Sequence, residues 1–106
     1  MKEEKQFDLI IVITNQGYSE DVMAAAKSGG ATGGTILSAR GTGMGEIEKF
    51  FGIMLQKEKE ILMIVTPRER KQSIMQAVCR DMGLHSPAQS VSFAVPVEDV
   101  AGLAPF

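Results

Sequence analysis

The run FDLIIVIT at residues 7–14 constrains this chain more than any other stretch. Its apolar residues fall on both alternating sets, Leu9, Ile11 and Ile13 on one and Ile10 and Val12 on the other, and most are β-branched. A strand of that kind belongs in the middle of a sheet with both faces covered. The chain has 106 residues, enough for one domain. With 44% hydrophobic and 23% charged residues it has the composition of a globular domain able to build a core without staples. What covers the second face of the central strand is therefore the main question of the fold.

Along the chain, Asn15-Gln16-Gly17 makes a turn. Ser19 is placed to cap a helix whose first turn carries Glu20 and Asp21, carboxylates suited to the positive end of the helix dipole. Val22, Met23, Ala25 and Ala26 form its apolar side, and Gly29-Gly30 stops it. A Gly-rich turn at Thr32, Gly33 and Gly34 leads into a short strand at 35–40, and a second follows at Gly41, Thr42, Gly43 and Gly45. Residues 41–51 read as a loop, with Ile47, Phe50, Phe51 and Met54 suiting either a helical turn or the start of an edge strand. Residues 57–65, KEKEILMIV, pass from charge into a buried strand. Thr66-Pro67-Arg68-Glu69 then reads as a helix start: Thr66 as cap, Pro67 in the first position, Glu69 closing a capping box. Ile74, Val78, Met82 and either Met75 or Cys79 line one face of that helix, and Gly83 ends it. In SVSFAV, residues 90–95, Val91, Phe93 and Val95 point one way, and Pro96 closes the strand. The order predicts an α+β, ferredoxin-like βαββαβ domain over residues 1–106, a four-stranded antiparallel sheet with two helices on one face. No third layer is available, so further copies of the chain are the economical cover for the other face.

The candidate chemistry is sparse. Net charge is −2, from 11 basic and 13 acidic residues, which gives no sign of a nucleic-acid partner. Arg68, Arg70 and Lys71 are interrupted by Glu69 and read as a solvated helix end. The single cysteine excludes an internal disulfide and fits a reducing cytosol, and Cys79 reads as core. The start, MKEEKQ, is polar, with neither signal peptide nor membrane span, so the expected location is cytoplasmic. His85 is the single histidine and sits in a loop with Ser86 and Pro87. It has no Ser-His-acid arrangement to join and no metal-ligand cluster around it. Glu46/Glu48 and Glu98/Asp99 read as solvated turns, and the seven methionines as core filler. No catalytic residue, resident cofactor or metal is expected, and the chain does not read as an enzyme. The glycine stretch remains. Glycines at alternate positions after a strand permit φ > 0 and bring backbone N–H groups close to a small anion, with Arg40 at the lip. The spacing lacks the context of a dinucleotide fingerprint, and no G-K-[ST] follows.

Three motifs carry a resemblance: T-G-G-T at 32–35, A-R-G-T-G at 39–43, and F-A-V-P-V-E-D-V at 93–100. Together with length and element order, they make the chain similar to the PII-type signalling proteins, the nitrogen-regulatory group and its PII-like relatives. The resemblance implies a homotrimer that binds adenine nucleotides in lateral clefts. It also implies a loop after the second strand that responds to the ligand and docks on a target transporter or enzyme. By position, Gly33, Gly34 and Thr35 would border the nucleotide, with Arg40, Gly41, Thr42 and Gly43 at the base of the signalling loop. Ile64 and Val65 would line the base pocket by their backbone, and the loop holding Ser86 and Gln89 would close over the phosphates from a neighbouring subunit. Glu46, Phe50 and Phe51 would contact the partner. There are departures from the family pattern. Val91, Gly102 and Ala104 stand where the family has phosphate-side cations, each contact being worth roughly 1.5–3 kcal/mol. Ser86, Pro87, Ala88 and Gln89 replace the glycines of its phosphate loop, Gly45 replaces a glutamine, and the single tyrosine, Tyr18, lies outside the signalling loop. The effector this implies is AMP, ADP or ATP, a cyclic nucleotide or a small carboxylate, with lower charge fitting better. A ligand-free interaction trimer and a CutA-type trimer are the alternatives.

Overall fold

The structure is a computed structural model that describes residues 5–41 and 58–103. Its elements are β1 (Phe7–Asn15), α1 (Ser19–Ser28), β2 (Thr35–Arg40), β3 (Glu58–Pro67), α2 (Arg68–Met82) and β4 (Val91–Val97). The strands form one antiparallel sheet in the order β2-β3-β1-β4, with the apolar run of β1 inside it as expected. This is the ferredoxin-like βαββαβ fold.

Register sorts the side chains onto two faces. Ile10 lies opposite Ile64 and Ala94, Val12 opposite Leu62 and Ser92, and Ile36 opposite Leu62. Ile10, Val12, Leu62 and Ile64 pack with Val22 and Ala26 of α1 and Ile74 and Val78 of α2 into a core closed to solvent. The alternate set belongs to the other face. Leu9, Ile11, Ile13, Ile61, Met63 and Val65 are half-buried there. Leu37, Val91, Phe93 and Val95 are 44%, 54%, 43% and 43% exposed. Val91, Phe93 and Val95 do point one way, and it is away from the helices.

Three expected local signals are overridden, two by strand pairing and one by a side chain of β3. Thr66 and Pro67 do not start α2; they extend β3, paired with Asp8 and Phe7. Pro67 becomes the cap residue without any side-chain cap bond, and the Arg68 N–H is satisfied by the Gln6 carbonyl at 2.9 Å. Ser19 does not cap α1 either; its hydroxyl donates to Glu60 Oε2 at 3.1 Å. Pro96 does not close β4, which runs on to Val97. β4 is an edge strand, where a missing N–H costs nothing if it faces outward.

Two side-chain readings are corrected. Cys79 is exposed rather than core, because Ala77 joins Ile74 and Val78 on the buried face of α2. Arg68 is not merely solvated: its guanidinium grips the buried Asp8 carboxylate at 3.0 Å, and Lys71 stands 3.7 Å away. The two helices meet at Gly29, where a Cβ would lie 2.6 Å from the Ser73 carbonyl oxygen and 2.8 Å from Ile74 Cα. Only glycine permits that approach.

Candidate functional site

The predicted ligand residues fall in two groups. Along the β2 edge lie Gly33, Gly34, Thr35, Arg40 and Gly41. Gly34 is pressed against β3: a Cβ there would sit 2.8 Å from the Met63 carbonyl and 3.0 Å from both Ile64 Cγ1 and Met23 Cε. Gly33 faces open space, with nothing within 4 Å of an added Cβ. Ile64 sends its side chain into the core and Val65 sends its own to the open face, so the strand offers this edge its backbone. Thr35 is exposed. Arg40, opposite Glu58 in register, is exposed and has no ion-pair partner among the described residues. Thr35 and Arg40 are five residues apart, roughly 17 Å along the strand. Thr42, Gly43, Glu46, Phe50 and Phe51 lie outside the described residues.

Ser86 and Gln89 belong to the connection between α2 and β4. The structure brings Gly34 to Ile64, and it brings Gln89 to Asn15 at the end of β1, two strand positions from β2. Both loop residues are also engaged within the chain. The Ser86 hydroxyl donates to the Gly83 carbonyl at 2.7 Å, and the Gln89 side chain accepts from Asn15 Nδ2 at 3.4 Å.

The end of the sheet shared by Arg40, Gly41 and this loop holds Asn15, which reads in the sequence as a turn, and Lys59 and Glu60, which read as the charged approach to a strand. Glu60 receives the Gly17 N–H at 2.7 Å and the Ser19 hydroxyl at 3.1 Å, so a carboxylate from β3 stands at the start of α1. That placement suits the positive end of the helix. Asn15 contacts both the 83–90 loop and Lys59. Nothing at the level of residue type distinguishes these from solvated polar residues; only the strand register brings them together.

At the opposite end, Asp8 is buried. Its hydrogen bonds from Arg68 hold its carboxyl below the usual carboxylate range against the opposing effect of burial, with Arg68 and Lys71 adding charge attraction. Among the described residues no three His, Cys, Asp or Glu side chains gather to hold a metal, and no helix is long and apolar enough to cross a membrane. Among the described residues, the β2 edge thus presents an open glycine turn and the Arg40 guanidinium without an ion-pair partner.

The family model for nitrogen regulatory protein P-II matches residues 7–104. The chain belongs to the P-II family. Solved structures similar to this P-II chain include a PII-like signaling protein from Thermus thermophilus, 18% identical, with TM-score 0.66 over 88% of this chain and 87% of that one. Arabidopsis thaliana PII bound to citrate is 18% identical, with TM-score 0.69 over 94% and 82%. The B. subtilis GlnK-ATP complex is 18% identical, with TM-score 0.64 over 88% and 84%. At that identity the likeness establishes the shared fold. No curated protein matches the P-II chain significantly.

Proposed function

We propose that this P-II chain is a regulatory protein rather than an enzyme. In this reading it assembles as a homotrimer through the open faces of its sheets and binds a small anion between copies. It regulates a partner protein through residues 41–51. The observation that carries the reading is the division of the candidate site. Gly33, Gly34 and Arg40, which has no ion-pair partner among the described residues, line the β2 edge of the sheet, Ser86 and Gln89 lie in the connection to β4 at the end of β1, and an apolar face that no described residue covers runs across the strands between them. Packing that face against further copies sets the β2 edge of one chain beside the α2–β4 loop of the next. An adenine nucleotide of low charge suits the cleft, since one guanidinium and backbone N–H groups supply little positive charge for a triphosphate. The ATP and citrate held by two structural relatives lend support to a small anionic effector.

A ligand-free interaction trimer is the second reading, favoured by the internal hydrogen bonds that already occupy Ser86 and Gln89. A thermal-shift screen with AMP, ADP, ATP, cyclic nucleotides, 2-oxoglutarate and citrate separates the two. A ligand present at a hundred times its Kd adds about 2.7 kcal/mol to the native state. The shift is expected with AMP and is expected to shrink in Arg40→Ala. No shift with any of these compounds favours the second reading.

A further inference from the structure

Asn15 ends β1 and is almost closed to solvent, and its polar atoms are in use on two sides. Its backbone N–H donates to the Ala88 carbonyl at 3.0 Å, and Nδ2 donates to the Pro87 carbonyl at 3.0 Å and to Gln89 Oε1 at 3.4 Å. On the other side, Oδ1 accepts from Lys59 Nζ at 2.6 Å. The neighbours add to the junction: Thr14 Oγ1 donates to the Ala88 carbonyl at 3.2 Å, and the Gln16 N–H to the Glu58 carbonyl at 3.2 Å. The orientation of the amide follows from its partners. Turned over, it would set its oxygen against the Pro87 carbonyl and its NH2 against the Lys59 ammonium.

The amide group is rigid and planar, so its donor and acceptor ends turn together. A displacement of the 83–90 loop that draws on Nδ2 moves Oδ1 against Lys59. Gln89, one of the partners, holds φ at +48°, a left-handed conformation that residues other than glycine keep only under constraint. The loop therefore has a relaxed alternative once Asn15 releases it.

We propose that Asn15 is a positioning residue that couples the 83–90 loop to the first residues of β3, so that a ligand held by that loop alters the hold on Glu58 and Lys59. This is where residues 42–57 rejoin the sheet, so the coupling would give occupancy a route to the signalling segment. The inference rests on the function proposed above for its ligand, but the coupling itself exists with or without one.

The test uses the full chain and two variants that each cut one arm. Asn15→Asp keeps the acceptor for Lys59 and removes the donor to Pro87 and Gln89. Lys59→Met removes the other arm at a half-buried position and keeps the aliphatic stem. Amide hydrogen exchange is read in peptides covering 58–60 and 86–90, first without ligand. Lys59→Met is expected to speed exchange at 86–90 by about fivefold, the scale of one hydrogen bond, and to add nothing further in an Asn15→Asp background. Exchange that changes only at 58–60 in Lys59→Met overturns the proposal. With AMP added, exchange at 58–60 is expected to slow in the parent chain and to stay unchanged in Asn15→Asp that still binds. Equal slowing in both also overturns it. Absence of AMP binding to the parent chain counts against the proposed ligand, and the unliganded comparison still decides the coupling.

Discussion

The two faces of the sheet are built from similar residues and meet different fates. Ile10, Val12, Leu62 and Ile64 on one face lie under the helices with no exposure, whereas Leu37, Val91, Phe93 and Val95 on the other remain open. Composition does not separate them: both sets are mainly aliphatic, with Phe93 the one aromatic, on the open face. The difference is a count of layers: two helices cover one face, and the described residues offer nothing for the second. An exposed apolar face is the surface on which the assembly proposed above would pack. The covered face belongs to the fold, and the open one to the assembly we propose.

Variants on the two faces sharpen that contrast. Leu62→Ala, in the covered face, is expected to cost about 3–5 kcal/mol in denaturant unfolding, independent of protein concentration. Phe93→Asp, in the open face, is expected to convert the sedimenting species to single chains and to lower apparent stability by about 1.5–3 kcal/mol, the burial of one Phe side chain. That loss depends on concentration. An unchanged sedimentation coefficient for Phe93→Asp would leave the open face facing solvent and break the comparison.

A smaller effect separates the ends of the covered face. Asp8→Asn, at the Arg68 end, is expected to cost about 1–3 kcal/mol at neutral pH, measured by urea unfolding. The Asp8 carboxyl is held below its ordinary range in the folded chain, so below about pH 4 the unfolded chain binds more protons. Its contribution is full above that point and is lost as pH falls through the folded pKa. The Asp8→Asn substitution removes this dependence, so the stability curves of parent and variant should converge in acid. Curves that stay parallel down to about pH 2 would assign the acid sensitivity elsewhere.

The smallest effect on stability should accompany a clear effect on binding. Gly33→Ala adds a methyl group to open space and should change stability by no more than about 0.5 kcal/mol. AMP affinity by calorimetry is expected to fall about tenfold if a ligand approaches that turn. Unchanged affinity would move the ligand off the β2 edge, while Gly34→Ala, blocked by Met63 and Ile64, would damage the fold whatever binds.

Much of this protein was legible in its residues. The doubly apolar run of β1 announced a central strand, Gly29 and Gly83 marked the helix ends, and the alternation in β4 put Val91, Phe93 and Val95 on one side. Together these patterns determined the fold class and the shortage of a layer, because periodicity records which side of an element must leave water. The tertiary structure decided what local rules misjudged. Thr66-Pro67 has the chemistry of a helix start, yet two residues paired with β1 outweigh a cap. Arg68 looks like surface charge until the register sets it over Asp8. Asn15 and Glu60 look like turn and surface residues until the sheet brings them to Lys59, the 83–90 loop and the start of α1. Such contacts join positions more than 40 residues apart, and no local pattern encodes which strands will be neighbours or in what register.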